Sequence, residues 1–260
     1  MDVKWIIAAV ASAACSGRGA TKPRVVEDAP VVAKAVVPAG PYKVDATFDK
    51  GDVQIRVEWK DVPVEARAAP GRTACGTAKV AAVAPTTTWG IPDVVVMIDA
   101  NHGKPMPAPE RARIVLEHCA LSPRVAIVES PLIVASAMDA PAKLTFAKLA
   151  PARPLAAPAA PGPQGTPIQL PIAGHEAALP LDTDSINELR SDDDSAIAVA
   201  APTPYYAITE ANGQVILRDV PIGSFEVVAW LPARAGQPAR TARGKVTVTS
   251  GALAEVTLTL

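Results

Sequence analysis

Three kinds of side chain in this sequence carry chemistry beyond packing: the cysteines Cys15, Cys75 and Cys119, the histidines His102, His118 and His175, and the consecutive aspartates Asp192, Asp193 and Asp194. A soft trigonal metal centre needs two neutral imidazoles, a thiolate and a weak thioether. His118, His175, Cys119 and Met138 could be gathered for one, but His118 and Cys119 are adjacent, and neighbours on a strand point to opposite faces. Solvated loop histidines are therefore expected and no metal is assigned; copper on relocated ligands is the alternative. Calcium takes six to eight oxygens at regular spacing with a glycine turn. The aspartate run is consecutive and has no glycine, so it reads as a solvated loop, with Asp182, Asp184 and Glu188 nearby keeping calcium as an alternative. No Gly-x-Ser-x-Gly, His-Glu-x-x-His or phosphate loop occurs. A triad assembled in space is invisible to sequence, but three histidines leave few general bases. The expectation is a protein without catalytic residues and without a cofactor.

The chain that must position these groups has 260 residues, enough for one large β domain or two smaller ones. Its formal net charge is −1 and it has no Lys/Arg tract, which argues against nucleic-acid binding. Its 27 prolines are about twice the usual share. With many short Val- and Thr-rich runs they disfavour long helices and favour strands joined by rigid loops. An all-β protein compatible with export follows.

The N-terminus, MDVKWIIAAVASAAC, places an apolar run after Lys4 and closes it with small residues and Cys15. The run is too short to span a bilayer and has the length of a signal-peptide core. Small residues before a cysteine resemble the lipobox of bacterial lipoproteins, which implies cleavage after residue 14 and lipidation of Cys15. An ordinary secretory signal or a buried N-terminal strand is the alternative. Setting Cys15 aside leaves Cys75 and Cys119, an even number suited to one disulfide, with two separate buried thiols as the alternative. Bridging a loop of about 40 residues stabilises by roughly 3–4 kcal/mol. Residues 15–41 read as a tether, and Ser16 after the cysteine directs the anchor to the outer membrane, facing the periplasm, rather than to the inner membrane.

Strand signals follow. Residues 42–48 and 53–59 alternate around Asp49, Lys50, Gly51 and Asp52 as a hairpin, with Gly51 in a left-handed turn position. Residues 91–98 form an apolar run suited to a buried strand, and 112–118 lead into Cys119. The stretch 147–171 is dense in proline and reads as an extended linker or surface loop, or as a polyproline ligand for a partner. The run 204–231 (PYYAITEANGQVILRDVPIGSFEVVAWL) reads as a meander of three strands, the third, 225–231, buried on both faces. Residues 245–249 and 255–260 read as a closing hairpin that ties the C-terminus into a sheet.

The order Cys75-Gly76, buried Val run, proline-rich gap and Cys119-x-x-x-Pro123, ending in PYYAIT and NGQVILRDVPIGSFEVVAW, resembles exported cupredoxin-like (plastocyanin-like or methylamine-utilisation-type) bacterial proteins. The ending also resembles carboxypeptidase-regulatory, transthyretin-type modules. The resemblance implies an antiparallel β-sandwich of degenerate cupredoxin type over 42–150, a linker or loop at 151–171, and a transthyretin-like module over 172–260. It also locates the copper ligands: the first histidine within 138–146, where none occurs, and the others, counting back from Pro204, at Glu188, Ser191 and Asp194. None of these is a soft ligand, so the scaffold is expected to have lost its copper. The resulting expectation is a non-catalytic lipoprotein of the bacterial envelope, bound to the bilayer by its acyl anchor. It acts as a binding or assembly module for a protein partner, within a larger envelope complex. A divergent copper-binding electron-transfer or copper-trafficking protein is the alternative.

Overall fold

Alternate burial of Val53, Ile55 and Val57 sets the first long strand of the protein. The computed structural model describes residues 41–45, 47–69, 71–79, 81–83, 88–155, 165–234 and 237–260. In chain order the elements begin with β1 (Lys43–Val44), β2 (Lys50–Glu58), one helical turn α1 (Val64–Arg67), β3 (Val95–Ile98) and β4 (His102–Gly103). A second group follows: β5 (Ala112–Glu117), β6 (Ala120–Ser122), β7 (Val125–Val128), β8 (Leu132–Ala137), β9 (Ala142–Ala150), β10 (Thr166–Leu170), β11 (Glu176–Pro180), β12 (Ser185–Arg190) and β13 (Ser195–Ala200). The last are β14 (Tyr206–Ile208), β15 (Gln214–Pro221), β16 (Gly223–Leu231), β17 (Arg240–Val248) and β18 (Leu253–Thr259).

The protein is an all-β sandwich, mostly antiparallel, with parallel pairs at β2–β18, β5–β8, β7–β13 and β1–β4. Besides the short β1–β4 pair there are four sheets among the described residues: β15-β2-β18, β14-β3-β16-β17, β10-β9-β12-β13-β7 and β11-β8-β5-β6. Side-chain alternation stacks them in that order. Val96, Ile98, Val227, Ala229 and Leu231 pack against Val53, Ile55 and Val57 of the first sheet. Their neighbours Val95, Met97, Val228 and Trp230 face the other way and pack against Val125, Ile186, Ile197 and Val199 of the third sheet. The opposite face of that sheet, with Ala126, Leu189, Ala196 and Ala198, packs on Ile114, Ile133 and Ala135 of the fourth. The two middle sheets are thus buried on both faces, which explains the continuous apolar runs of β3 and β16.

Several sequence expectations change. The three runs in 204–231 are strands, but not a meander. β14 and β16 both flank β3, whereas β15 pairs with β2 in the facing sheet. The Asn212-Gly213 turn carries the chain between sheets rather than back along one. A Cβ on Gly213, whose φ is +75°, would lie 2.5 Å from Gly90 Cα. Likewise β17 pairs with β16 and β18 with β2, so the closing segment is an arch between sheets, though it does tie the C-terminus down. β1 pairs with β4, not β2, and Gly51 lies inside β2. It is required by close approach rather than by a turn: a Cβ there would meet Thr249 O at 2.4 Å and Ala252 O at 2.8 Å.

The proline-rich stretch also does more than link. Residues 147–150 complete β9, a strand paired on both sides, and 166–170 form β10 at the sheet edge. Edge placement tolerates Pro167, because an edge strand need not donate on its outer side. Residues 156–164 lie outside the described residues. The pairings do not follow the division at 150 and 172: β2 and β3 join β14–β18 in one sandwich, and β5–β13 form a second, inserted between β4 and β14. Pairing at long sequence separation leaves no local mark, so proline density points to the wrong place for a boundary.

Candidate functional site

Cys75, Cys119, His118, Asp193 and Asp194 converge on one corner of the inserted sandwich. An arm, residues 73–79, reaches it from the other sandwich. Thr73 N–H donates to Thr77 O (2.8 Å) and Gly76 N–H to Thr73 O (2.9 Å), folding the arm into a tight turn in which Gly76 has φ +79°. Cys75 at its tip is disulfide-bonded to Cys119, with Cα atoms 5.8 Å apart. Cys119 and His118 are the two central residues of the β5–β6 turn, with φ +64° and +49°. Two consecutive left-handed residues mark the tight turn that matches strand twist. His118 and Cys119 therefore do not sit on opposite faces of a strand as expected. The sequence lacks the Asn-Gly signal for such a turn, and the disulfide pins it instead. Thr77 Oγ1 also donates to His118 O at 3.0 Å.

The aspartate run, expected as a solvated loop, anchors this corner. Asp193 Oδ2 accepts from the Ala74 N–H (2.8 Å), and its Oδ1 pairs with Lys79 Nζ at 3.0 Å. These partners, the amide first, hold the Asp193 carboxyl below the usual carboxylate range. Asp194 accepts from Leu121 N–H and Ser195 N–H, both at 2.9 Å. Asp192 is exposed. Two of the three carboxylates thus already serve protein donors.

Glu188, Ser191 and Asp194, where the sequence resemblance leads one to expect copper ligands, also bond to protein groups. Glu188 accepts from Arg190, and Ser191 Oγ donates to Asp194 O at 3.1 Å while accepting from Asp194 N–H at 3.0 Å. The gathered set His118, His175, Cys119 and Met138 offers no thiolate, because the Cys119 sulfur is bonded to Cys75. His175 lies in the turn before β11, and His102 lies in β4 with Nδ1 2.9 Å from Asn101 Oδ1. Beside the disulfide opens a cleft of about 330 Å³, lined by Leu116, Cys119, Pro141, Lys143 and Asp192 among others. Its lining mixes apolar side chains such as Leu116 and Pro141 with charges of both signs, Lys143 against Asp192 and Asp193. Cys15, with residues 1–40, lies outside the described residues.

Sequence reading missed the charged groups at the seam between sandwiches. Arg124, before β7, and Arg234, after β16, place Nη1 atoms 3.9 and 4.0 Å from the same Asp93 Oδ2. Arg234 Nη2 donates to the Arg124 carbonyl at 2.9 Å. Burial, then the neighbouring Arg124 charge, lowers Arg234 to about 10. Among the described residues its Nη1, like Arg124 Nε, has no hydrogen-bond partner. These residues come from three separated segments, and no motif announces them. Compared with protein-family models, curated proteins and solved structures, the chain matches none.

Proposed function

We propose that this protein is a non-catalytic binding or assembly module of the bacterial envelope, lipidated at Cys15, held at the periplasmic side of the outer membrane and presenting the disulfide corner to a protein partner. The observation that carries this reading is the Cys75–Cys119 bond, which ties an arm of one sandwich to a hairpin of the other. Disulfides of this kind persist in oxidising compartments, outside the cytosol. The apolar run ending at Cys15 supplies the matching route out and an anchor. Lipid on the cysteine would supply membrane affinity of about 0.8 kcal/mol per buried methylene. Among the described residues no helix is long and apolar enough to cross a membrane.

The same proposal holds that the scaffold descends from cupredoxin-like proteins and has lost their copper chemistry. Support comes from the Cys75-Gly76, Cys119-x-x-x-Pro123 and 204–231 segments, and from hard or hydrogen-bonded groups at Glu188, Ser191 and Asp194. Fractionation tests the anchor. Wild-type protein should pellet with outer membranes, and Cys15→Ala should be released to the soluble fraction. Continued membrane attachment of Cys15→Ala would contradict lipidation.

A further inference from the structure

We infer that Glu117, His118 and Asp139 form a binding site for a first-row divalent transition cation. One donor atom from each residue lies within 4.8 Å of the other two, and all three side chains are exposed. His118 Nδ1 is 4.0 Å from Glu117 Oε1. Ligands bonded to one such ion at about 2.0–2.2 Å sit about 3–4 Å apart, so small side-chain rotations close the set.

The backbone beneath these side chains is already fixed. His118 N–H donates to Asp139 Oδ2, joining the β5–β6 turn to the turn after β8. Thr77 Oγ1 holds the His118 carbonyl at 3.0 Å, and the next residue, Cys119, is fixed by its disulfide. Met138 N–H donates to Leu116 O at 3.0 Å, positioning the residue before Asp139. Ligands carried on cross-tied turns lose little freedom on binding.

Charge points the same way. Glu117 and Asp139 bring two carboxylates together, and among the described residues neither pairs with a Lys or Arg. A cation between them relieves that repulsion. One imidazole with two carboxylates selects ions such as Zn(II), Cu(II) or Ni(II) over calcium and magnesium, which take all-oxygen sets. Three protein ligands leave a coordination position open to water or to a group from another molecule. The site depends on neither the Cys15 anchor nor a partner in the cleft.

The test is calorimetric titration of Zn(II) into untagged full-length protein in detergent, disulfide intact. One equivalent should bind. His118→Asn, chosen because asparagine tolerates a left-handed backbone, and Glu117→Gln should each weaken binding by about tenfold or more. His102→Asn and His175→Asn should leave it within about twofold of wild type, since neither is a ligand. Among the described residues the Glu117 side chain makes no ion pair or hydrogen bond besides its contact with His118, so Glu117→Gln tests the site even if His118→Asn folds poorly. Absence of saturable Zn(II) binding, or wild-type affinity in both His118→Asn and Glu117→Gln, would overturn the inference.

Discussion

Arg153 reaches across the seam between the two sandwiches and holds Asp99 Oδ1 with Nε at 2.8 Å and Nη2 at 2.6 Å. Both side chains are about 15% exposed. Around this pair, Tyr206 Oη donates to Ala152 O at 2.8 Å, and Met97 and Trp230 pack against Leu155 and Ile197. The seam is therefore an apolar layer crossed by a few charged ties. Asp99→Ala should destabilise the fold by about 2–4 kcal/mol, because it removes the carboxylate on which the largely buried Arg153 guanidinium makes two hydrogen bonds. Asp219→Asn removes the carboxylate of an exposed pair with Lys50 and should cost less than about 1 kcal/mol. Urea unfolding midpoints compare the two; equal losses would contradict the distinction.

Glycine positions offer a second test. Gly51→Ala forces a Cβ into two backbone carbonyls, which cannot move aside as a flexible side chain would. A loss of about 3 kcal/mol or more is expected. Gly76→Ala meets nothing within 4 Å and should cost only the left-handed backbone term, about 1 kcal/mol. Thermal melts of both variants check the order.

Acid should loosen the disulfide corner. Asp193 titrates below its ordinary value in the folded protein, so its contribution is present at neutral pH. That contribution is lost as pH falls below about 4, the range of an unperturbed aspartate. Asp193→Asn should remove that part of the acid dependence while leaving the rest. The measurement is urea unfolding at several pH values between neutrality and acid; an unchanged acid limb in the variant would contradict this role.

Arg234 is buried against a second arginine with one shared carboxylate at 3.9–4.0 Å. Desolvating such a charge offsets much of its attraction. Arg234→Met should therefore leave stability within about 1 kcal/mol of wild type or raise it. Asp93→Asn, which tolerates the φ of +59°, should destabilise by about 2 kcal/mol or more. Denaturant melts compare them, and the reverse order would contradict this account of the seam.

What was legible in the sequence follows the range of each signal. β2, β3, β16 and β18 announce themselves through alternation or continuous apolar runs, because burial acts on neighbouring residues. The cysteine pairing follows from counting, once Cys15 is set aside. Which strands pair does not follow: β2 meets β15 and β18 some 150–200 residues away, and turn chemistry such as Asn212-Gly213 serves an arch as well as a hairpin. At the site, Cys75 and Cys119 were visible. The roles of Asp193 and Asp194 were hidden, because a carboxylate that caps a distant amide looks like any solvated one. The His118–Cys119 turn lacks a turn motif because its conformation is imposed from outside.

We propose that the disulfide corner is a partner-binding face of an envelope-tethered protein. A photo-reactive benzophenone side chain in place of Asp192, at the cleft, compared with one in place of Thr257 on β18 of the outermost sheet, tests it in intact envelopes. A discrete crosslinked adduct is expected from position 192 and none from 257. No adduct from 192, or the same adducts from both positions, would contradict it.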